Sequence, residues 1–549
     1  MGARDGMPAG TLRRAEGINS IRSGTLRSRF GLVLLYAMPG THSLYRFRDV
    51  RFQGTGGVLY RDGVALQGGF DGERLTFARM PPTAGREDYL FVAGGGTLVK
   101  VATDGTVTKW GIDAPGIDPI ATVGGAGVLN GTYMYAVTFK NSVTGARSNP
   151  NPAAFTGPAT VSPATQSVNL TSVPTSNDPQ VDTREIWRTF ANLTTLFKLA
   201  EIANNTATTY ADNAPDADLQ SEELPLDNAP PRGDFADAVG PYAGRMFWTR
   251  ISASGEEGRI YYSPRGRPES LAGFIEVNNG DDPVVKLVSW GGSLYGWTNG
   301  HVIQVLGFTE PFTWREVFGA PGSDRPFSIV PTPFGIAYQS YDGIRMFAGT
   351  DSKLVGFEAI GRLLTGEALE DIPPFVADIA EYTGREVWFS DESTTLILDV
   401  ASGAWRYTKQ RISALYFEPD TKVLVAGSNE GVFIPEVPGV LTDNGAAIAF
   451  EVETPGVRFD VSVRGLVQRL YFDVDSGGQW LTPTLLVDGA TYVLPQFATS
   501  VRPDPPIELA VGKWGHVWSV RLAGSLAASV TVFGVEADVY VPLPAEALK

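Results

Sequence analysis

The feature that most constrains this 549-residue chain is a short turn that recurs between runs of β-forming residues. The turns sit at Asp62 in VLYRDGVAL, Asp104 in LVKVATDGTV, Asn299 in LYGWTNGHVIQV, Asp342 in IAYQSYDGIRMF, Asp391 in VWFSDESTTLIL and Asn429 in VLVAGSNEGVFI. A looser turn lies near Glu257. From Asp62 to Asp104 is 42 residues, and from Glu257 onward the intervals are 42, 43, 49 and 38. Small antiparallel sheets repeating at such intervals are the signature of a β-propeller. Aspartate, asparagine and glycine at these positions are explained by turn geometry alone.

The interval from Asp104 to Glu257, 153 residues, is too long for one blade. It is bounded by two Pro/Gly-rich stretches, DAPGIDP at 113–119 and LPLDNAPPRGD at 224–234. Between them, segments such as TYMYAVTF, QSVNLTSVP, TREIWRTF and LFKLAEIA predict an immunoglobulin- or fibronectin-like sandwich over 119–228. Removing it restores the local blade spacing, as expected of a domain inserted at a loop tip. After PEVPGVLTDNGAA, alternating strands predict a second sandwich. The expected fold is therefore all-β: a six- or seven-bladed propeller, interrupted once and followed by a sandwich. Its parts are an Arg-rich N-terminal arm and lead-in at 1–40, first blades at 41–118, the insert at 119–228, further blades at 229–440 and the closing sandwich at 441–549. Helical periodicity is suggested only around 358–370.

Composition excludes several chemistries. There is no cysteine, so disulfides and thiolate chemistry are absent. The three histidines, His42, His301 and His516, fall in three different expected parts, which disfavours a metal site or a catalytic histidine. The stretch Asp212 to Asp218 with Glu223 imitates a calcium loop, but alanines stand where oxygen and glycine are wanted. Gly94-Gly95-Gly96 lacks the lysine of a phosphate cradle and reads as a turn. No catalytic residue, metal ligand or cofactor is assigned. No apolar run is long enough for a membrane helix, and no cleavable leader is apparent, so a cytoplasmic product without a membrane anchor is expected.

Net charge is −16, which argues against a general nucleic-acid-wrapping surface. Residues 1–61 oppose that trend, with ten arginines, no lysine and three acids. Arg13, Arg14, Arg22, Arg27 and Arg29 fall close together, and their planar donors suit an acidic docking partner as well as a solvated arm.

The segment Ser23-Gly-Thr-Leu-Arg-Ser-Arg-Phe-Gly31 resembles the G-x-L-R-x-x-P-G stretch near the start of tail nozzle (tail hub) proteins of short-tailed bacteriophages, with Phe30 where that family often has proline. The order GGVLYRDG, GGGTLVKVATDGTVTKW, VKLVSWGGSLYGWTNGHVIQVLG and TPFGIAYQSYDGIRMFAG is similar to the same family. This resemblance implies a non-enzymatic virion protein, assembled in the host bacterial cytoplasm. It implies a homo-hexameric ring below a head–tail adaptor ring, carrying a tail needle, fibres or tailspikes, whose channel passes double-stranded DNA during genome ejection. Two alternatives stand beside it. One is a glycan-binding or glycan-hydrolysing propeller, using the blade tryptophans and carboxylates such as Trp297 and Asp282. The other is a receptor-binding tail adhesin acting through the insert.

Overall fold

The computed structural model describes residues 14–541 apart from 17, 23–24, 82–86, 153–158, 252–255, 279–280, 357–373, 392, 455 and 459–463. The stretch at 358–370 therefore lies outside the described residues. The chain is all-β and of the β-propeller class, built mainly from four-stranded antiparallel sheets. It divides into two compact units. One comprises Met1–Thr55, Arg325–Ala348 and Ser352–Lys549, and the other Gly56–Asp324 with Gly349–Asp351.

In the unit formed by Gly56–Asp324, the described residues include three complete blades. Their strands run over Thr76–Lys109, Phe235–Glu276 and Lys286–Pro321. A hairpin, Val58–Arg61 with Val64–Gly68, stands beside them in sequence. At its tip Asp62 (φ 47°) and Gly63 (φ 79°) are both left-handed, as a two-residue hairpin turn requires. The blades pack through apolar seams. Phe91, Trp110, Phe235, Met246 and Trp248 fill one, and Phe247, Ile260, Leu287, Leu294 and Ile303 another.

The insert in this unit is a sandwich of a three-stranded and a four-stranded sheet. Its core sets Tyr135, Val137 and Ile186 against Val168 and Leu170. Among the described residues seven strands form it. Ile120–Asn130 had been obscured by its glycines, and its pairing with Ala164–Thr171 is broken by register shifts. The insert is held at both roots. Gln180 Nε2 donates to the Gly111 carbonyl (2.9 Å), and Ile112 packs on Phe139 and Val181. On the return path Arg267 grips Asp227, and its Nη1 reaches Asn228 Oδ1 at 2.7 Å.

In the other unit the described residues include three more complete blades, at Val330–Leu354, at Ile379–Thr408, and in a composite sheet. This last joins Ala414–Glu418, Val423–Ser428 and Gly431–Ile434 to Val33–Tyr36 from the start of the chain. The hairpin Thr41–Phe47 with Val50–Thr55 follows that strand. A terminal sandwich completes the unit. Leu470, Phe472 and Val474 do point to one side, into a core with Phe450, Leu485, Phe497 and Leu522.

Within the stretch expected as an N-terminal arm and lead-in, the strands before Val33–Tyr36 pair with this sandwich. Arg14–Glu16 runs antiparallel to Ala446–Glu453 and parallel to Trp405–Thr408. It thereby joins a blade and the sandwich in one eleven-stranded sheet. Ile18–Arg22 and Thr25–Ser28 form a hairpin whose second strand pairs with Thr531–Tyr540 on the other sheet. Backbone pairing is obligatory where groups leave water, and these strands satisfy sheet edges that would otherwise be open.

The six turn residues lie between paired strands, but they are not one repeated turn. Asp62 and Asp104 connect the last two strands of their sheets, whereas Asn299, Asp342, Asp391 and Asn429 connect the second and third. In the blade over Thr76–Lys109 the second-to-third turn is Gly95–Gly96, both with positive φ.

Candidate functional site

The arginine-bearing segment is the candidate partner site, and its five arginines have different fates. Arg13 lies outside the described residues. Arg14 and Arg22 lie on the two strands just described. Arg27, opposite Thr531, is exposed and open to a partner. Arg29 is not: its side chain is buried, Nη1 donates to Asp443 Oδ1 (2.9 Å) and Nη2 pairs with the other oxygen. The expectation of a docking role for Arg29 is corrected, because removing it from Asp443 would strand a buried charge.

Local geometry explains the fork. Gly31 donates to the Val440 carbonyl (2.7 Å) and accepts from Val437 N (2.8 Å). A Cβ on Gly31 would stand 1.9 Å from the Thr442 carbonyl oxygen. Glycine therefore lets the linker after the last blade lie against the chain start, which brings Asp443 to Arg29.

Two further ion clusters lock the same unit. Glu418, fully buried, accepts from Arg46 Nη1 (2.6 Å), Arg51 Nη2 (3.0 Å) and Thr421 Oγ1 (2.7 Å). Burial pushes its carboxyl up, but the bonds from Arg51, Thr421 and Arg46 outweigh it and hold it below the usual carboxylate range. Arg406 binds Glu386 (2.9 Å) and Glu436 (2.6 Å) and lies over the Trp388 ring. Both clusters fix neighbouring strands and present no free reactive group.

The other unit contains the groupings closest to chemistry. Asp282 Oδ2 accepts from Thr298 Oγ1 (2.6 Å) and lies 3.2 Å from His301 Nδ1. Thr298 Oγ1 also lies 3.2 Å from that same Nδ1. A catalytic triad needs acid and hydroxyl on opposite ring nitrogens, so this arrangement is not one. Asp282 instead caps the turn, accepting Asn299 N at 2.8 Å.

In the insert, Asp212 is buried and accepts from Arg188 Nη1 and from the Tyr135 hydroxyl, each at 2.7 Å. Asp216 accepts from Arg188 Nη2 (3.0 Å) and Ala191 N (2.9 Å). Two carboxylates of the stretch that imitates a calcium loop, Asp212 and Asp216, are thus counter-ions of buried Arg188, while Asp218 and Glu223 are exposed. Among the described residues no group of three or more histidines and carboxylates could hold a metal ion.

Trp248 and Trp297 are fully buried, and Trp388 nearly so. A sugar platform on Trp297, part of the glycan reading, is therefore not available to a ligand. No helix among the described residues is long and apolar enough to cross a membrane.

No protein-family model matches the chain, and no curated protein matches it. Among solved structures it is similar to the extracellular domain of a one-component system of B. thetaiotaomicron, at 11% identity and a TM-score of 0.23, covering 93% of this chain and 77% of that one. It is also similar to YCF48 bound to D1 peptide, at 8% identity and a TM-score of 0.32, covering 77% and 99% respectively. These scores are too low to place the chain beside either protein, and its fold class rests on its own strand pairing.

Proposed function

We propose that this chain is a tail nozzle (tail hub) protein of a short-tailed bacteriophage, a structural ring subunit that docks below the head–tail adaptor and forms the distal channel for genome ejection. The observation that carries this reading is the N-terminal strand Arg14–Glu16, which makes a blade and the terminal sandwich one continuous sheet. A part that bears assembly load gains from such a seam. A hinge there would let the sandwich swing. The lead-in motif and the order of hairpins support the same reading. So does the use of the striking carboxylates in turns and ion pairs rather than in an open reactive cluster. An acidic protein can pass a polyanion without trapping it, since like charges repel.

The test is negative-stain imaging of the purified chain mixed with the adaptor ring of its virion. A six-fold ring seated on the adaptor is expected. Persistent monomers that never join the adaptor would overturn the proposal. Arg27→Glu should weaken attachment without altering the thermal transition, since the Arg27 side chain is exposed.

A further inference from the structure

The chain holds four Asp–Pro bonds, at 118–119, 178–179, 282–283 and 504–505. Such a bond is chemically special. The aspartate carboxyl can close a five-membered ring on its own backbone carbonyl, and proline nitrogen is a better leaving group than an ordinary amide nitrogen. What decides reactivity in a folded chain is whether the carboxyl is free to turn and keeps its proton.

Two of the four carboxyls are tied by hydrogen bonds and a third is exposed. Asp178 is committed to Gln180, accepting from its backbone N at 3.1 Å and from Nε2 at 3.0 Å. Asp282 is held by Thr298 and the backbone of Asn299. Asp504 is exposed to water, whereas the proposed site needs a carboxyl withdrawn from it. Asp118 differs: its Oδ1 is buried with no hydrogen-bond partner. Desolvation also raises its pKa, and among the described residues no charged group contributes to that shift.

We propose that Asp118–Pro119 is a self-cleavage site at the root of the insert. The Asp118 carboxyl oxygen attacks the Asp118 carbonyl carbon, and the carboxyl proton passes to the Pro119 nitrogen. The C–N bond then breaks, leaving a cyclic anhydride and a free Pro119 amine. Water opens the anhydride to two carboxyl groups, so the net reaction is hydrolysis of one peptide bond. The cut falls immediately before Ile120–Asn130, the first strand of the insert. It would release the leading root, while the return root stays gripped by Arg267 at Asp227 and Asn228.

The full-length protein should be held native in mild acid, at about pH 5, and sampled by denaturing gel and intact mass. Two fragments, 1–118 and 119–549, are expected, together one water heavier than the intact chain. Cleavage there should exceed that at the other three Asp–Pro bonds by about tenfold or more. Asp118→Asn should abolish it, and Pro119→Ala, which keeps the carboxyl but removes the good leaving group, should slow it. In urea the preference for this bond should vanish. An intact native chain, equal cutting at all four bonds, the same preference in urea, or cutting that persists in Asp118→Asn would each overturn the proposal.

Discussion

The two sandwiches are the instructive comparison. The insert and the terminal sandwich share an architecture of two facing sheets with an apolar core, yet they differ in how much charge they bury. The terminal one closes on an almost wholly apolar cluster, with Leu470, Phe472, Val474 and Leu485 fully buried. The insert buries Arg184, Glu185, Arg188 and Asp212 within or beside its core. They also differ in attachment. The insert is tied by side-chain bonds at two roots, whereas the terminal sandwich shares backbone ladders with a blade. A buried ion pair adds little net stability but penalises any packing that leaves it unpaired. An apolar core contributes more stability and specifies less. The inserted domain, begun and ended by another fold, carries more of the specifying kind of core than the domain knit into its neighbour, where Glu453 paired with Arg521 is the fully buried charge among the described residues.

Deleting residues 1–28 should have the largest effect, because it strips strands from both sheets of the terminal sandwich and severs its seam with the blade. The expected outcome is a separate, low-temperature calorimetric transition for the sandwich, or rapid proteolysis near 435–446, with the insert unaffected. An unchanged single transition would refute the shared-sheet coupling. Next, Phe472→Ala should cost about 3–5 kcal/mol in denaturant unfolding of the terminal sandwich, as large-to-small core changes do. In the insert, Asp212→Ala should cost about 3–5 kcal/mol by leaving Arg188 unpaired, while the double change Arg188→Met, Asp212→Leu should recover much of it. Recovery by the double variant would sharpen the comparison, and additive losses would break it.

A smaller effect concerns acid. The folded pKa of Glu418 is depressed, so its unfolded form takes up the proton first as pH falls. Its contribution is fully present above about pH 5 and is lost as pH drops through about 4 and below. Glu418→Gln should flatten that part of the stability–pH curve measured by chemical unfolding. The smallest expected change is Arg267→Lys, which keeps the charge at the return root but loses the two-pronged grip on Asp227. A shift of about 1 kcal/mol or less is expected, visible as faster proteolysis at the root and not as unfolding.

Much of the fold was legible because its signals are local. Asp62-Gly63 announces a hairpin through two residues that tolerate positive φ, and the break between Asp104 and Glu257 announces an insertion through spacing. The phase of the repeat was not legible. Gly95–Gly96 and Asp104 are both good turns in one blade, and only pairing tells which matches Asn299. Nor was the fate of Arg29, whose partner Asp443 is 414 residues away. An arginine in a polar stretch looks alike whether it awaits another molecule or the far end of its own chain. The carboxylate ligands of Arg188 were visible as a cluster, but not their purpose, since the arginine that gathers them lies on a different strand.

The strand Val33–Tyr36 completes a blade made from residues 414–434, and Thr25–Ser28 waits for Thr531. During synthesis Val33–Tyr36 has no partner strand until residues 431–434 are made, and Thr25–Ser28, paired only with Ile18–Arg22, keeps its other edge open until Thr531 is made. A product that stops before residue 431 therefore keeps both edges open, one that stops between 434 and 531 keeps one, and either presents itself to chaperones and proteases as unfinished. The wiring of the first 36 residues works as a check on translation, passed only by a polypeptide made through Thr531–Tyr540.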